Sequence, residues 1–427
     1  MTKAKKQGIT LKKAIGKIHL WLGLGSGLVV FILGVTGCIL VFEEEIRLLN
    51  GTSRIYKTVE DKGLSTLPPS QIMKKAKEAV PSERSMVYSI FKKQENAAVI
   101  TWHYTPDPDN PNVRGQYLAI TQDPYTGEIL TIEDWNHDFW GTMFYLHTNL
   151  LLPPGIGSPI TSYATLIFVV LMITGLVLWY PKSKKGFRQR FTVKWTASPK
   201  RLNYDLHNVF GFYMTWMAIF IAITGMIFGL SWFRNAVYYT TSGGETLDFY
   251  NGPQSKPPID SSTIAISRQD NLVDSLVAAT LAREKDLTEY SVNYPEREDD
   301  IINVSVFTKQ GKTYFRHNEF AYDRYSGELL SSEYWQDHNA GERILHLNYA
   351  IHLGLIGGLP TKILAFLVSF IAASLPITGF YIWWGRKRKV KGESATSRKA
   401  LTSANYKNDP KEVVKPIFSM KQDPNNP

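Results

Sequence analysis

Four of the chain's nine histidines stand at spacings that suit iron chemistry. His19 is followed four residues on by Gly23 and then by Thr36-Gly37; His207 is followed by Gly211 and then by Thr224-Gly225 at the same intervals. Both segments read His-x3-Gly-x12-Thr-Gly. Four residues is about one helical turn, so each glycine shares its histidine's helix face. An imidazole there can ligate iron while the small residue lets a flat porphyrin lie against the helix backbone. His147 and His352 each precede another apolar stretch and offer a second pair. Two histidines per iron, drawn from facing helices, hold a b-type haem without a covalent link. The single cysteine, Cys38, rules out an intramolecular disulfide, and the chain has no Cys-x-x-Cys-His for covalent haem attachment. Thiolate zinc and iron–sulfur centres need more sulfur ligands than one.

The elements that must position these side chains are apolar helices. Stretches 20–42, 158–180, 206–233 and 363–384 carry no charged residue, and each is at least 22 residues long. About 20 apolar residues cross a bilayer core, so the 427-residue chain is read as a membrane protein with spans at 18–42, 158–180, 206–233 and 361–385. The net charge of +10 is a topology signal rather than a sign of a nucleic-acid partner. Residues 1–17 hold six lysines and no acid, the loop 181–205 is net +7, and the tail 386–427 is net +7. The long segments 43–157 and 234–360 are net −4 and −7. Basic loops stay cytoplasmic, which places both termini and the 181–205 loop inside and the two long segments outside. The first span is too long for a signal-peptide core and runs into Glu43-Glu44-Glu45 with no small-residue cleavage pattern, so it is expected to stay as an anchor.

Self-similarity reduces four spans to two units. Asp123-Pro-Tyr-Thr-Gly-Glu-Ile-Leu in the first outer segment matches Asp323-Arg-Tyr-Ser-Gly-Glu-Leu-Leu in the second, with Trp135 and Trp335 following. Thr174-Gly175 and Thr378-Gly379 close the second and fourth spans. The expected fold is an α-helical membrane protein with four transmembrane helices in two parallel repeats, plus two outward-facing α+β domains, which the family resemblance given below implies are periplasmic. In those domains, 71–79 and 271–283 read as helices, and 97–103, 117–122, 301–307 and 313–322 as strands. The Tyr-Thr-Gly-Glu and Tyr-Ser-Gly-Glu tetrads read as hairpin turns whose glycine takes a positive φ. Loops 105–115 and 251–261 are Pro-rich and expected to be exposed. The polar tail from 391 on is expected to be disordered.

Other residues have plainer readings at this level. The four Thr-Gly pairs suit close helix packing in a membrane, which takes the larger share of the interpretation. His103, His137, His317 and His338 lie in the outer segments with no ligand-like spacing, which favours surface or turn roles. His137 and His338 each follow the repeated tryptophan by two or three residues and so keep a weaker option as substrate-site groups. Trp102, Tyr104, Trp135, Trp140 and Trp335 near the outer edge could face a substrate, although an interfacial belt or a domain core explains them more simply. Gly23-x-Gly25-x-Gly27 lies inside a span, not after a strand, so a dinucleotide fold is not indicated.

The doubled His-x3-Gly-x12-Thr-Gly, the Asp-x-Tyr-[Ser/Thr]-Gly-Glu turn, the Leu-His-Thr-Asn-Leu-Leu-Leu and Ile-His-Leu-Gly-Leu-Ile-Gly-Gly segments and the closing Thr-Gly-x-x-x-Trp together resemble the PepSY-associated transmembrane family over about residues 10–390. That family includes iron-regulated inner-membrane proteins and ferric-siderophore reductases. The resemblance implies PepSY-like outer domains, two haem b groups and reduction of a ferric siderophore or other ferric chelate in the periplasm with release of Fe(II). It places the ligands on His19, His207, His147 and His352, with Gly23 and Gly211 beside the first two. For the fourth ligand two positions stay open: the Leu-His-x-Asn pattern matches His147 to His346, whereas the distance to the next span matches it to His352. Six helical residues turn the two side chains about 240° apart, so both cannot serve one haem from a regular helix. His352 is favoured, with His346 as the alternative ligand or as a proton or substrate group. The chain carries no electron donor, so a quinol or a separate cytoplasmic flavoprotein is implied as a partner beside the bilayer. The rival reading is a non-catalytic membrane-anchored protein whose outer domains bind peptide or regulate a peptidase. A transporter is disfavoured because no ionisable Asp, Glu, Lys or Arg lies mid-span.

Overall fold

A computed structural model describes residues 10–50, 58–60, 63–80, 86–92, 97–105, 115–181, 187–247, 252–257, 266–284, 287–308 and 316–407. Four helical segments in it are long and apolar enough to cross a membrane: Leu11–Leu49, Pro154–Trp179, Pro199–Gly229 and Leu359–Lys387. The first comprises α1 (Leu11–Leu40) and a short acidic-headed α2 (Glu43–Leu49); the second is α5 (Pro154–Trp179). The third begins as α6 (Pro199–Asp205), widens into a π turn at Leu206–Phe210 and continues as α7 (Gly211–Gly229), followed by α8 (Ser231–Thr241). The fourth, α11 (Leu359–Lys407), stays helical well past the span, which corrects the expectation of a disordered tail between 391 and 407. Residues 408–427 and the start of the N-terminal segment, 1–9, lie outside the described residues.

The chain divides into a body up to Gly379 and a C-terminal part from Phe380. Met172 of α5, Met214, Ala218 and Ala222 of α7, and Val368 and Ala372 of α11 form the apolar centre of the helical body. α1 crosses α11 very closely: a side chain at Gly34 would stand 2.8 Å from the Ala373 backbone nitrogen. That approach is one only glycine permits.

The two outer segments are expected from the sequence as separate domains, and their strands instead form one sheet. Its strands are β1 (Met86–Lys92), β2 (Val99–Thr105), β3 (Gln116–Gln122), β4 (Ile129–Asp134), β5 (Leu287–Tyr294), β6 (Ile302–Thr308), β7 (His317–Tyr322) and β8 (Leu329–Glu333). They lie in the order β4-β3-β2-β1-β5-β6-β7-β8, every neighbour antiparallel, so the order mirrors about the β1–β5 seam. Pairing at that seam covers two edges that would otherwise offer unpaired backbone groups. The expected strand at 313–322 begins at His317, and 313–315 lie outside the described residues; so does most of loop 105–115, while 252–257 is exposed except at Ser255.

One face of the sheet packs on helices α3 (Pro69–Ala79) and α9 (Ile266–Arg283). Ile72, Val99, Val273, Val277, Val292, Val304 and Phe320 fill that core. The two helices are tied by Ser70, whose backbone N–H and hydroxyl donate to Asp274. The Asp123 and Asp323 tetrads are the expected turns: each aspartate Oδ1 accepts two backbone N–H groups, and Gly127 and Gly327 take φ of 69° and 74°. Beyond the sheet lie α4 (Phe139–Asn149), capped by Asp138, and α10 (Ala340–His352), which opens with a capping box from Asn339 and Glu342. These helices carry His147 and His352.

Candidate cofactor site

His19, His147, His207 and His352 share one local geometry. His19 Nδ1 lies 2.9 Å from Thr174 Oγ1, His207 Nδ1 2.9 Å from Thr378 Oγ1, His147 Nδ1 2.8 Å from Thr36 Oγ1, and His352 Nδ1 2.9 Å from Thr224 Oγ1. Each threonine is the first member of a Thr-Gly pair. The glycine next to it then faces the same ring: a side chain there would approach the His19, His207, His147 or His352 Cε1 at 3.4, 3.2, 3.7 or 3.3 Å. The Thr-Gly pairs are therefore seats for histidines, a role beyond the helix packing expected of them.

The hydrogen bonds determine which ring nitrogen carries the proton. Each threonine hydroxyl already donates to carbonyls three and four residues back on its own helix, as Thr36 does to Leu33 and Ile32 and Thr224 to Ile221 and Phe220. Thr174 and Thr378 do the same toward Val170 and Leu171, and Ser374 and Leu375. A hydroxyl has one hydrogen, so toward the imidazole it can only accept. Nδ1 must then be the N–H, and His352 Nδ1 has a second acceptor in the Ile221 carbonyl at 3.0 Å. In a neutral ring Nε2 is left with its lone pair, the tautomer a metal ligand requires.

The rings are also paired. His147 and His352 have centroids 6.3 Å apart with planes at 68°. A metal held about 2 Å from one nitrogen of each ring would put the two centroids about 6 Å apart, so the separation is compatible with both rings holding one metal. His19 and His207 lie within electrostatic reach of each other toward the opposite ends of α1 and α7. Among the described residues, no three or more His, Cys, Asp or Glu side chains converge on one ion position. Each pair could offer two imidazole ligands to one metal-holding group.

The local fold explains each placement. His207 sits in the π turn, and such turns recur at functional sites. Residues Leu150 and Leu151, both with positive φ, end α4 just after His147 and reverse the chain into α5. α10 is longer than α4 and carries His352 in its last turn, where its ring lies beside that of His147. Gly23 and Gly211 would present a side chain only to the ends of Leu171 and Leu375, at 3.7 to 3.9 Å, so neither is held against a helix backbone.

The remaining expected site residues divide differently. Trp102 is 5% exposed, stacks on Tyr117 and meets Trp135 edge-on at 4.4 Å, so it is core and not a substrate-facing surface. Tyr104 leans on Tyr117. Trp135 and Trp140 flank the Arg47 guanidinium at 5.7 and 5.5 Å; Arg47 is 4% exposed and bonds Glu43 and Asp138. This pin joins α2 to the cap of α4. Trp335 belongs to a group that sequence spacing does not reveal. His346 packs against it, against His317 at 5.3 Å and flat on His338 at 4.6 Å. Burial, with the two neighbouring imidazoles, pushes the His346 pKa down to about 4.

Residues 17–386 match the family model described as the PepSY-associated TM region. The chain belongs to that family. The match spans both histidine pairs and the whole sheet of this PepSY-associated protein. A comparison with curated proteins finds no match.

Proposed function

We propose that this PepSY-associated protein is a haem-containing inner-membrane reductase that passes electrons outward to a ferric siderophore or similar ferric chelate and releases Fe(II). Four Nδ1–H···Oγ bonds that leave four Nε2 lone pairs, two by two, are the observation that carries this reading. His19 and His207 would hold one haem b near the cytoplasmic face, and His147 and His352 a second near the periplasmic face. Bound there, haem would supply one-electron redox chemistry at potentials its ligands tune. The threonines hold each ring in one tautomer and orientation. The apolar packing of Met172, Met214, Ala218 and Ala222 keeps water from the space between the pairs. Iron leaves after reduction because hard chelate oxygens bind Fe(III) far better than Fe(II).

In this reading the chain is a duplicated span–domain–span unit, supported by the mirrored strand order and by the matched bonds His19–Thr174 with His207–Thr378 and His147–Thr36 with His352–Thr224. The sheet is periplasmic and both termini cytoplasmic, as the basic segments argue. Electrons come from a separate quinol or cytoplasmic flavoprotein. The test is spectroscopic. Protein purified from haem-replete cells should show a low-spin b-type Soret band that shifts on dithionite reduction. His19→Ala or His207→Ala should remove one haem, and His147→Ala or His352→Ala the other. A colourless wild-type preparation would overturn the reading in favour of a peptide-binding role for the outer sheet.

A further inference from the structure

Each half of the sheet meets the helices through its repeated tryptophan, and the two contacts differ in kind. In the first half, Trp135 packs on Trp102 and lies under the Arg47 guanidinium, which also covers Trp140 of α4 and bonds Asp138. In the second half, Trp335 meets His346 of α10 and His338, which follows the short 3-10 turn Trp335–Asp337. The His338 and His346 rings are 4.6 Å apart and 13° from parallel, and His317 of β7 meets His346 edge-on at 5.3 Å. An arginine keeps its charge at any ordinary pH, whereas an imidazole gains one within the physiological range. Of the two, the second is therefore the contact whose rings respond to mild acid.

The surroundings leave a charged stack without compensation. Two carboxylates face His346, Glu319 of β7 and Glu342 of α10. Glu319 already accepts from His317 Nε2 at 2.6 Å, and that bond holds its carboxyl below the usual range. Glu342 already accepts from the Asn339 backbone N–H, which closes the capping box. Arg316 lies over Trp335 and Arg343 donates to the Gln336 carbonyl, so the guanidiniums nearby only add positive charge. Burial first, and then the His317 and His338 imidazoles, keep His346 neutral down to a pKa of about 4. His338 is held in place against its hydration: both its ring nitrogens are buried and make no hydrogen bond, and opening to water would satisfy them.

We propose that the His338–His346 stack is an acid-released latch between the outer sheet and α10, closed while both rings are neutral and opened when they take up protons. Two imidazolium rings face to face repel, and neither carboxylate is free to offset the second charge. On opening, the turn 335–339 and the first part of α10 leave β7, and the nitrogens of His338 gain water. The rest of α10 stays, because Asn348 donates to the Thr224 carbonyl and Ala350 is fully buried. The closed form refuses a proton that the open form binds, so closure is favoured above about pH 6.5 and loses ground as pH falls toward 4. One proton taken up by His346 shifts the balance about tenfold per pH unit in that window and about 300-fold across it. The arginine-pinned first half stays docked, so the release is one-sided. His352 lies six residues beyond His346 on the same helix, a rise of about 9 Å, so acid loosens the helix next to the outer pair. The latch stands on these contacts and needs no haem.

The experiment is amide hydrogen exchange of the full-length, detergent-solubilised protein between about pH 7.5 and about pH 4.5, with rates corrected for the intrinsic pH dependence of exchange. Protection of the segment 335–347 should fall about tenfold per pH unit below about pH 6.5, while the segment 129–145, which holds Trp135 and Trp140, keeps its protection. Replacing both rings, His338→Phe with His346→Phe, gives the second half a non-titrating aromatic stack like that of the first and should abolish the fall; wild-type protection near neutral pH shows that this variant folds. His346→Phe alone serves if the double variant does not fold. His137→Phe, which removes an exposed imidazole outside the cluster, should leave the fall in place. Constant protection of 335–347 across the range in the wild type, or a fall that the variants without these rings retain, would overturn the proposal.

Discussion

Replacing Thr36 by valine removes one hydroxyl and little else, because the two side chains have nearly the same shape and the site is only 2% exposed. What is lost is the acceptor for His147 Nδ1–H at 2.8 Å. Such a neutral hydrogen bond contributes about 1 kcal/mol net. Removing an outer partner of a metal-ligating histidine costs about 10–100-fold in metal affinity, equivalent to about 1.4–2.8 kcal/mol. The Leu33 carbonyl remains within reach of the same ring, so the tautomer survives and the lower end applies. The expected outcome is about tenfold weaker haem retention at one of the two sites, read as the rate of haem transfer from purified protein to an excess of a haem acceptor. The other site should be unchanged, and Thr36→Ser should restore retention. Equal release by Thr36→Val and wild type, or equal weakening of both sites, would refute the seating role assigned to the Thr-Gly pairs.

Arg47→Met leaves Glu43 and Asp138 without their buried partner; breaking such a pair costs about 3–5 kcal/mol, and because each carboxylate is about a quarter exposed the lower end is expected, seen as a fall in Tm with loss of the outer haem before the inner. Gly34→Val should destabilise the detergent-solubilised protein severely, since its side chain meets the Ala373 backbone at 2.8 Å, whereas Gly25→Ala, with nothing within 4 Å, should leave Tm unchanged. His346 should make stability pH-dependent with a definite sign. Its folded pKa is about 4 against 6.5 for a free ring, so the unfolded chain binds a proton that the folded chain refuses. Its contribution is intact above about pH 6.5 and is lost as pH falls toward 4; His346→Phe should flatten the Tm profile across that window, and an unaltered slope would show that the ring is not buried neutral.

Much of this architecture is legible in the residues because membrane helices and tight turns have strong local causes. The four spans follow from uninterrupted apolar length, and the two hairpins from a glycine that must take positive φ. The seam between β1 and β5 is not legible, since no local pattern says which edge of one segment meets which edge of the other. The seating role of the Thr-Gly pairs is hidden for a related reason: a small residue in a span signals packing, and only the fold reveals that the threonine faces a histidine on another helix. Which of His352 and His346 lies beside His147 turns on helix length, which a shared tetrapeptide does not report. The His317–His338–His346 cluster joins residues from a strand, a turn and a helix, so no spacing could announce it.

The two histidine pairs are not independent, because α1 serves both. In the proposed reading it carries His19 as a ligand near one end and Thr36 as the seat of His147 near the other, and the third span does the same with His207 and Thr224. Seventeen residues separate each ligand from the seat on its helix, a rise of about 25 Å, which fits inside a hydrocarbon core of about 30 Å. A helix that slips along its axis would withdraw a ligand from one pair and the orienting acceptor from the other in the same movement. The close crossing at Gly34 and Ala373 and the Glu45–Lys362 ion pair at 2.5 Å, both between the first and fourth spans, oppose that slip. Loosening the crossing should therefore weaken both sites together, in contrast to Thr36→Val, which weakens one.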